Sequence, residues 1–351
     1  MILSRFIATL ALLCTAAWAQ PQDLVYRLPT DNKALFTTGG DDYYVYVDRV
    51  FEGVKSKPWQ AGTYGMVRNP FRPRPGAAVM YSRFHEGIDV KPIYRDARGE
   101  PQDDVHPIAP GKVVHASANP RHSNYGRYVV VAHQVPEGII YSLYAHLASV
   151  ECRVGQKLST TDVIGRLGYS GVGLNKVRAH LHLEIGLMIN SRFADFYTGE
   201  NKHGHFNGMN LVGFNPTHVL MACRNGAPFS VSAYFATLKE HYRVAVPCVP
   251  LDIMRRHPFL YKGNRGELQR PRSLEIAFTA EGIPIGIYPA AREVEQPCII
   301  SCRPMPTVQQ NCTVNRVKNN SANAALTRSG LWYITQFLWK EGIYPPSAET
   351  P

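Results

Sequence analysis

The clearest structural pattern in the chain is Ala179-His180-Leu181-His182-Leu183-Glu184-Ile185. Polar and apolar side chains alternate along it, as they do in a β-strand with one face toward a core. His180 and His182 therefore project from one face, while Leu181 and Leu183 enter the other. The stretch predicts a strand that presents two imidazoles on a single surface.

The surrounding sequence predicts a mainly β domain. Between residues 61 and 223, short apolar runs are separated by Gly, Pro and Asn, without sustained helical periodicity. The predicted strands are Val113-Val114, Tyr128 to Ala132, Ile139 to Tyr144, Val163-Ile164 and Leu181 to Leu187. Runs of this length, joined by turn residues, favour an antiparallel β-sheet domain over 61–223.

Two further regions flank this domain. Residues 20–60 form an N-terminal lead-in, in which Asp41 to Val47 alternates like a strand. Residues 224–351 predict an additional α+β region, with helices at Ser232 to His241 and Leu326 to Trp339 and two strands within Leu274 to Tyr288. Its role stays open between a wall-binding module, a lid and a structural cap.

The N-terminus predicts export. Residues 1–19 combine a basic start, an apolar run from Phe6 to Ala16 and the small-x-small pattern Ala17-Trp18-Ala19, which is typical of a signal peptide. No later stretch approaches the roughly 20 apolar residues that span a bilayer. We therefore expect a mature chain that begins near Gln20, has no transmembrane segment, and is periplasmic or secreted.

The cysteines fit an oxidising compartment. Removal of the signal peptide leaves Cys152, Cys223, Cys248, Cys298, Cys302 and Cys312. None of them stands in a paired CxxC, so a cysteine zinc site is not indicated. An even number in an exported chain favours disulfides, although the sequence does not select a pairing.

The charge points to an anionic partner. The formal net charge is +11, and the segment after Cys223 contributes +6 of it, with Arg255, Arg256, Lys262, Arg265, Arg270 and Arg272 close together. No nucleic-acid-binding signature accompanies this charge, so a cell-wall polymer fits better than nucleic acid. A solvated basic face without a partner is the alternative.

A second motif supplies a possible metal site. In Phe84-His85-Glu86-Gly87-Ile88-Asp89-Val90, a histidine and a carboxylate stand four residues apart with glycine between them. Imidazole nitrogen and carboxylate oxygen are zinc ligands, and catalytic zinc keeps one position open for water. His203-Gly204-His205 repeats the HxH spacing, but its Gly/Asn-rich surroundings predict a loop.

Together these motifs resemble the M23 family of zinc metallopeptidases, the lysostaphin/LytM type of peptidoglycan endopeptidase. His85-x-Gly87-x-Asp89 resembles its HxGxD motif, His180-Leu181-His182 its HxH motif, and Tyr144-Ala145-His146-Leu147 its YxHL segment. The resemblance covers residues 61–223, and its three motifs follow in the family's order. Insertions at Arg95 to Asp104 and Ile189 to Gly213 depart from the family and predict loops near the groove.

The resemblance implies a site and a substrate. His85, Asp89 and His182 would bind one Zn2+ per chain, and His146 and His180 would act as catalytic residues beside the zinc-bound water, in an order left open. Glu184 shares a face with His182 and is a candidate for orienting that ligand. Peptidoglycan would be the substrate, and the oligomeric state is not indicated.

Two alternatives remain beside this interpretation. One is a non-catalytic module of the same fold that activates cell-wall amidases; such modules characteristically lack metal ligands, whereas all five site positions are filled here. The other is a protease that acts on secreted proteins, because a fold does not specify a substrate.

Overall fold

The computed structural model describes residues 21–199, 203–263, 270–304, 312–319 and 321–339. The predicted signal peptide lies outside them. The strands are β1 Arg49–Phe51, β2 Val54–Ser56, β3 Gly65–Phe71, β4 Met80–His85, β5 Ile88–Val90, β6 Asp104–Val105, β7 Gly111–Ser117, β8 Arg127–Val135, β9 Gly138–Leu147, β10 Ser149–Val150, β11 Lys157–Leu158, β12 Gly165–Arg166, β13 Leu181–Met188, β14 Leu211–Gly213, β15 Tyr242–Pro247, β16 Ser273–Phe278, β17 Pro284–Ala290, β18 Cys298–Cys302, β19 Val317–Lys318 and β20 Ala325–Leu326. The α-helices are α1 Ala34–Thr37, α2 Gly40–Tyr43, α3 Phe193–Phe196, α4 Pro216–Ala222, α5 Val231–Thr237, α6 Asp252–Arg256 and α7 Arg328–Leu338.

A seven-stranded antiparallel sheet forms the centre of the molecule, in the order β11-β7-β8-β9-β13-β14, and β5 also pairs with β13. β13 is the predicted HxH strand, and every one of its residues is buried. One of its edges pairs with β9, while β5 and β14 share the other edge. The predicted antiparallel β fold is therefore confirmed, and its motif strand lies inside the sheet.

The hydrophobic core extends beyond the predicted domain. Valine, isoleucine and leucine side chains from β8, β9 and β13 pack in one buried cluster with Tyr26 and Tyr43 of the lead-in and with Phe278 and Phe337 near the C-terminus. Burial of apolar surface stabilises a folded chain by roughly 25 cal/mol per Å². The lead-in and the C-terminal region are therefore packed parts of the same core.

Two strand predictions were wrong in detail. Asp41, Asp42 and Tyr43 lie in α2, and Tyr44 makes only a single bridge to Val90, so Asp41 to Val47 is not a strand. Tyr43, Tyr44 and Val45 are all buried, and their pattern reflects packing beside β5. Val163-Ile164 was predicted as a strand, but strand β12 begins only at Gly165, where the ladder with β6 and β10 starts.

The C-terminal region contains a four-stranded antiparallel sheet in the order β17-β16-β15-β18. The hairpin β16–β17 at one edge of this sheet and helix α7 confirm the two strands and the last helix predicted from the sequence. Helix α5 stops earlier than predicted, since the backbone N–H of His241 already donates to Phe278 O beside β15. Asn190 binds the carbonyls of Gln336 and Trp339, which ties α7 to the central domain.

At least four of the six cysteines that follow residue 19 do not form the expected disulfides. Cys152, Cys223, Cys248 and Cys298 are free thiols in the structure. Cys298 and Cys302 begin and end the single strand β18, so their Cα atoms stand about 13 Å apart, beyond disulfide reach. The structure therefore does not show the disulfides predicted for the C-terminal region.

The basic residues of the C-terminal region largely have partners. Arg255 pairs with Asp252, Arg272 pairs with Glu293, and Lys262 donates to Phe259 O. Arg256 donates to Tyr141 OH and lies over the Tyr141 ring. Arg265, named with them above, lies outside the described residues. Among the described residues, no helix has the length and apolar character needed to cross a membrane.

Candidate metal centre and active site

Three side chains converge at the end of β13. Asp89 Oδ1 lies 3.0 Å from His182 Nδ1 and 3.1 Å from His85 Nε2, and the two imidazole nitrogens are 3.1 Å apart. All three residues are buried. The structure therefore brings together the three residues that the resemblance assigns to the metal.

The strand register produces this convergence. Asp89 of β5 is the direct cross-strand partner of His182 of β13, so their side chains leave the same face. His85 reaches the same point from the end of β4. Gly87 makes the approach possible, because a Cβ at this position would stand 2.2 Å from Leu183 O. The glycine of the HxGxD motif is thus a requirement of close backbone contact.

Further contacts orient the candidate metal-ligating atoms of His85, His182 and Asp89. His85 Nδ1 donates to Thr63 O at 2.8 Å, which leaves the Nε2 lone pair free to face the centre of the cluster. His182 Nε2 donates to Glu184 Oε1 at 2.9 Å, which directs Nδ1 toward Asp89 and the centre of the cluster. Glu184 therefore holds the orienting position suggested by the sequence. Arg68 binds the other carboxylate oxygen of Asp89, so only Oδ1 faces the two histidines.

The electrostatics favour a positive charge at this centre. Burial alone would raise the pKa of Asp89, but His180, His85 and Arg68 outweigh it and hold this pKa well below its usual value. Burial alone would lower the pKa of His182, but hydrogen bonds to Asp89 and Glu184 outweigh it and raise this pKa to about 10. Asp89 is therefore an anion, and the cluster stabilises a cation beside it.

The donor set fits zinc. Nitrogen and oxygen ligands bound at about 2.0–2.1 Å in a tetrahedron stand about 3.3 Å from one another. The three observed separations, 3.0 to 3.1 Å, are slightly shorter than this. Two imidazoles and one carboxylate also form a ligand set that zinc uses.

His146 and His180 stand beside this cluster, with ring centroids 4.8 Å apart. Each donates from Nδ1 to a backbone carbonyl, His146 to Ser170 O at 3.0 Å and His180 to Arg178 O at 2.7 Å. Burial is the main cause that lowers the pKa of both rings. The neighbouring His180 and His182 lower the pKa of His146 further. Both imidazoles are therefore neutral and keep Nε2 as a proton acceptor.

The backbone of His146 is strained. Its φ is 64°, in the left-handed region that non-glycine residues rarely adopt. The conformation sits next to a register shift between β8 and β9, and His146 N donates to Tyr125 O at 2.9 Å. Strain of this kind costs roughly 1–3 kcal/mol and persists where surrounding contacts impose it. Here those contacts direct the ring toward His180 and His182.

An open groove of about 790 Å³ runs over the five residues. Its walls include Arg49 of the lead-in, Arg178 before β13, and His203 and Gly208 of the insertion after β13. The second insertion therefore borders the groove as predicted, and His203-Gly204-His205 is a turn. His203 nevertheless lies on the wall, with its ring 5.5 Å from that of Tyr125.

Sequence reasoning missed two contributors. Arg68 of β3 forms an ion pair with Asp89. Tyr125 OH donates to Glu184 Oε1 at 2.8 Å and accepts from Gly208 N at 3.0 Å. Neither belongs to a recognised ligand motif, and no local signal connects Arg68 with a carboxylate 21 residues later. Only the pairing of β3 with β4 brings Arg68 to the site.

Comparison with known families agrees with the motif assignment. Residues 83–194 match the model of Peptidase family M23. The match spans HxGxD, YxHL and HxH, so the resemblance inferred from these motifs is confirmed. Comparison with curated proteins found no match.

Several solved structures are similar. A mutant catalytic domain of the prophage-encoded M23 protein EnpA from Enterococcus faecalis is 19% identical, over 42% of this chain and 85% of that chain, with a TM-score of 0.25. The catalytic domain of lysostaphin from Staphylococcus simulans is 18% identical, over 50% and 92%, with a TM-score of 0.28. A chain of the SpoIIQ–SpoIIIAH pore forming complex is 17% identical, over 63% and 100%, with a TM-score of 0.33.

Proposed function

Residues 83–194 match the M23 peptidase family, and from this premise we propose that the protein is an exported zinc metallopeptidase that hydrolyses peptide bonds in peptidoglycan. One observation carries the proposal: the three candidate ligand atoms of His85, Asp89 and His182 lie 3.0 to 3.1 Å apart beneath an open groove. Two neutral imidazoles stand beside them. His85, Asp89 and His182 would hold one zinc ion through Nε2, Oδ1 and Nδ1.

Each residue has a defined task in this proposal. A zinc ion bound at such a site would act as a Lewis acid and lower the pKa of its bound water. His146 and His180 face the groove with free Nε2 atoms, so this pair accepts the proton of the attacking water and returns it to the leaving amine. Glu184 and Arg68 hold His182 and Asp89 in their orientations.

Sequence features support the proposed substrate and compartment. The predicted leader and the net charge of +11 suit an exported protein that meets an anionic wall polymer. The open groove accommodates an extended peptide. Edman sequencing of the protein purified from its native compartment should begin near Gln20; a start at Met1 would contradict export with cleavage.

Digestion of purified peptidoglycan tests the function directly. We expect the zinc-loaded mature protein to release fragments with new amino termini, identified by mass spectrometry, and chelation of the metal to stop the release. Binding without cleavage would favour the non-catalytic module. Cleavage of denatured casein but not of peptidoglycan would favour a protease of secreted proteins.

A further inference from the structure

Three arginines line one arm of the groove, the part formed by β1, β3 and β4. Arg68 and Arg83 are direct cross-strand partners in the β3–β4 hairpin, and both line the groove. Arg49 of β1 lines it as well, with its guanidinium 5.7 Å from the ring centroid of Tyr81. We refer to Arg49, Arg68 and Arg83 as the arginine arm.

The hairpin places Arg83 close to the metal ligands. Tyr81, Arg83 and His85 alternate along β4 and therefore share one face. Two residues of strand separate Arg83 from His85 by about 7 Å, and four residues separate Tyr81 from His85 by about 13 Å. A peptide lying in the groove over the metal centre thus passes the arginine arm within two to four residues of the bond to be cut.

The charges of the arm are not balanced by the protein. Like charges directly opposite in an antiparallel ladder destabilise it, and only Arg68 is neutralised, by Asp89. Among the described residues, the exposed guanidinium of Arg83 has no ion-pair or hydrogen-bond partner, and the buried Nε of Arg49 has no acceptor. Asp48 and Glu86 are exposed acidic residues that line the groove near the arm; neither forms an ion pair with the three arginines within the described chain.

We propose that the arginine arm, through Arg83 and Arg49, binds a carboxylate of the substrate peptide and makes the enzyme selective for anionic peptides. A planar carboxylate matches the two-pronged donor geometry of guanidinium. It would supply the missing acceptor of Arg49 and neutralise the charge of Arg83. The inference rests on the proposed function and identifies which peptides the same groove selects.

The test uses two peptidoglycan stem peptides that differ at one glutamate, which carries either a free carboxylate or its primary amide. We expect the zinc-loaded full chain to show kcat/KM about tenfold higher for the carboxylate peptide. Arg83→Gln should remove this preference while leaving the amide peptide within about twofold, and Arg49→Gln should reduce it. Arg74→Gln changes the same charge in the turn of the same hairpin, outside the groove, and should keep the full preference.

Calorimetric binding of both peptides to the full chain keeps this test separate from the proposed function. If neither peptide is cleaved, the peptidase proposal fails, yet tighter binding of the carboxylate form that depends on Arg83 still supports the subsite. Equal affinity for the two peptides overturns it. Displacement of the carboxylate peptide by inorganic phosphate at lower concentration than by free glutamate would also overturn it, in favour of a phosphate site.

Discussion

Asp89 and His182 face each other across β5 and β13, with Oδ1 of the aspartate 3.0 Å from Nδ1 of the histidine. Each is also held from behind, Asp89 by Arg68 and His182 by Glu184. A buried anion and an imidazole locked in this manner form a preorganised metal site, because little orientational freedom remains to be lost on binding.

The first prediction concerns the metal. Mature protein should retain about one zinc per chain, whereas His85→Ala and His182→Ala should lose it, since two remaining ligands do not hold zinc tightly. Elemental analysis after dialysis measures this. His205→Ala, in the turn that repeats the HxH spacing, is the control and should retain the zinc. Stoichiometric zinc in both ligand variants would show that the ligands are assigned wrongly.

The second prediction separates the two flanking histidines from the ligands. His146→Ala and His180→Ala should retain zinc but lose turnover by roughly 10² or more, because proton transfer contributes this much. Metal content and kcat measured on the same preparations decide the matter. His180 Nε2 stands 3.4 Å from Asp89 Oδ1, so zinc loss in His180→Ala would reassign that residue as a ligand.

The third prediction concerns Gly87. Gly87→Ala places a Cβ 2.2 Å from Leu183 O, so β5 must separate from β13 and carry Asp89 away from His182. We expect a loss of several kcal/mol in unfolding free energy together with loss of zinc, measured by denaturant titration and elemental analysis. Gly99→Ala is the control: its φ is 76° but its surroundings are open, so a cost of about 1 kcal/mol without zinc loss is expected. Unchanged stability in Gly87→Ala would refute the packing argument.

The fourth prediction is a pH dependence of stability. His133 is buried between Pro110 O and Ser142 Oγ, and burial lowers its pKa to about 4. Between pH 6.5 and 4, His133 is protonated in the unfolded chain but stays neutral in the folded chain. The unfolding free energy should therefore fall with falling pH, by up to about 3 kcal/mol from this residue. His133→Asn should flatten that slope in urea titrations. The exposed His218→Asn is the control and should leave the slope intact, and an equal slope in His133→Asn would contradict the assignment.

Much of this protein was determined by its sequence alone. Period-2 alternation in residues 179–185 predicts β13, because a strand must place its apolar side chains on one face. The motif residues His85, Asp89, His146, His180 and His182 follow from the resemblance, and the structure gathers all of them. Local patterns also located the β16–β17 hairpin and helix α7, where hydrophobic spacing and turn residues act within a few positions.

Tertiary structure alone decided the rest. Asp41 to Val47 looked like a strand, but Tyr43, Tyr44 and Val45 are buried beside β5 and Tyr44 makes a single bridge, an arrangement set by packing against distant residues. Arg68 meets Asp89, and Arg83 is left uncompensated, only because hairpin register places those side chains. Cysteine count suggested disulfides, whereas a disulfide requires Cα atoms within about 7 Å of each other. Local propensity is readable along the chain, but contacts between distant residues depend on register and packing, which no single segment encodes.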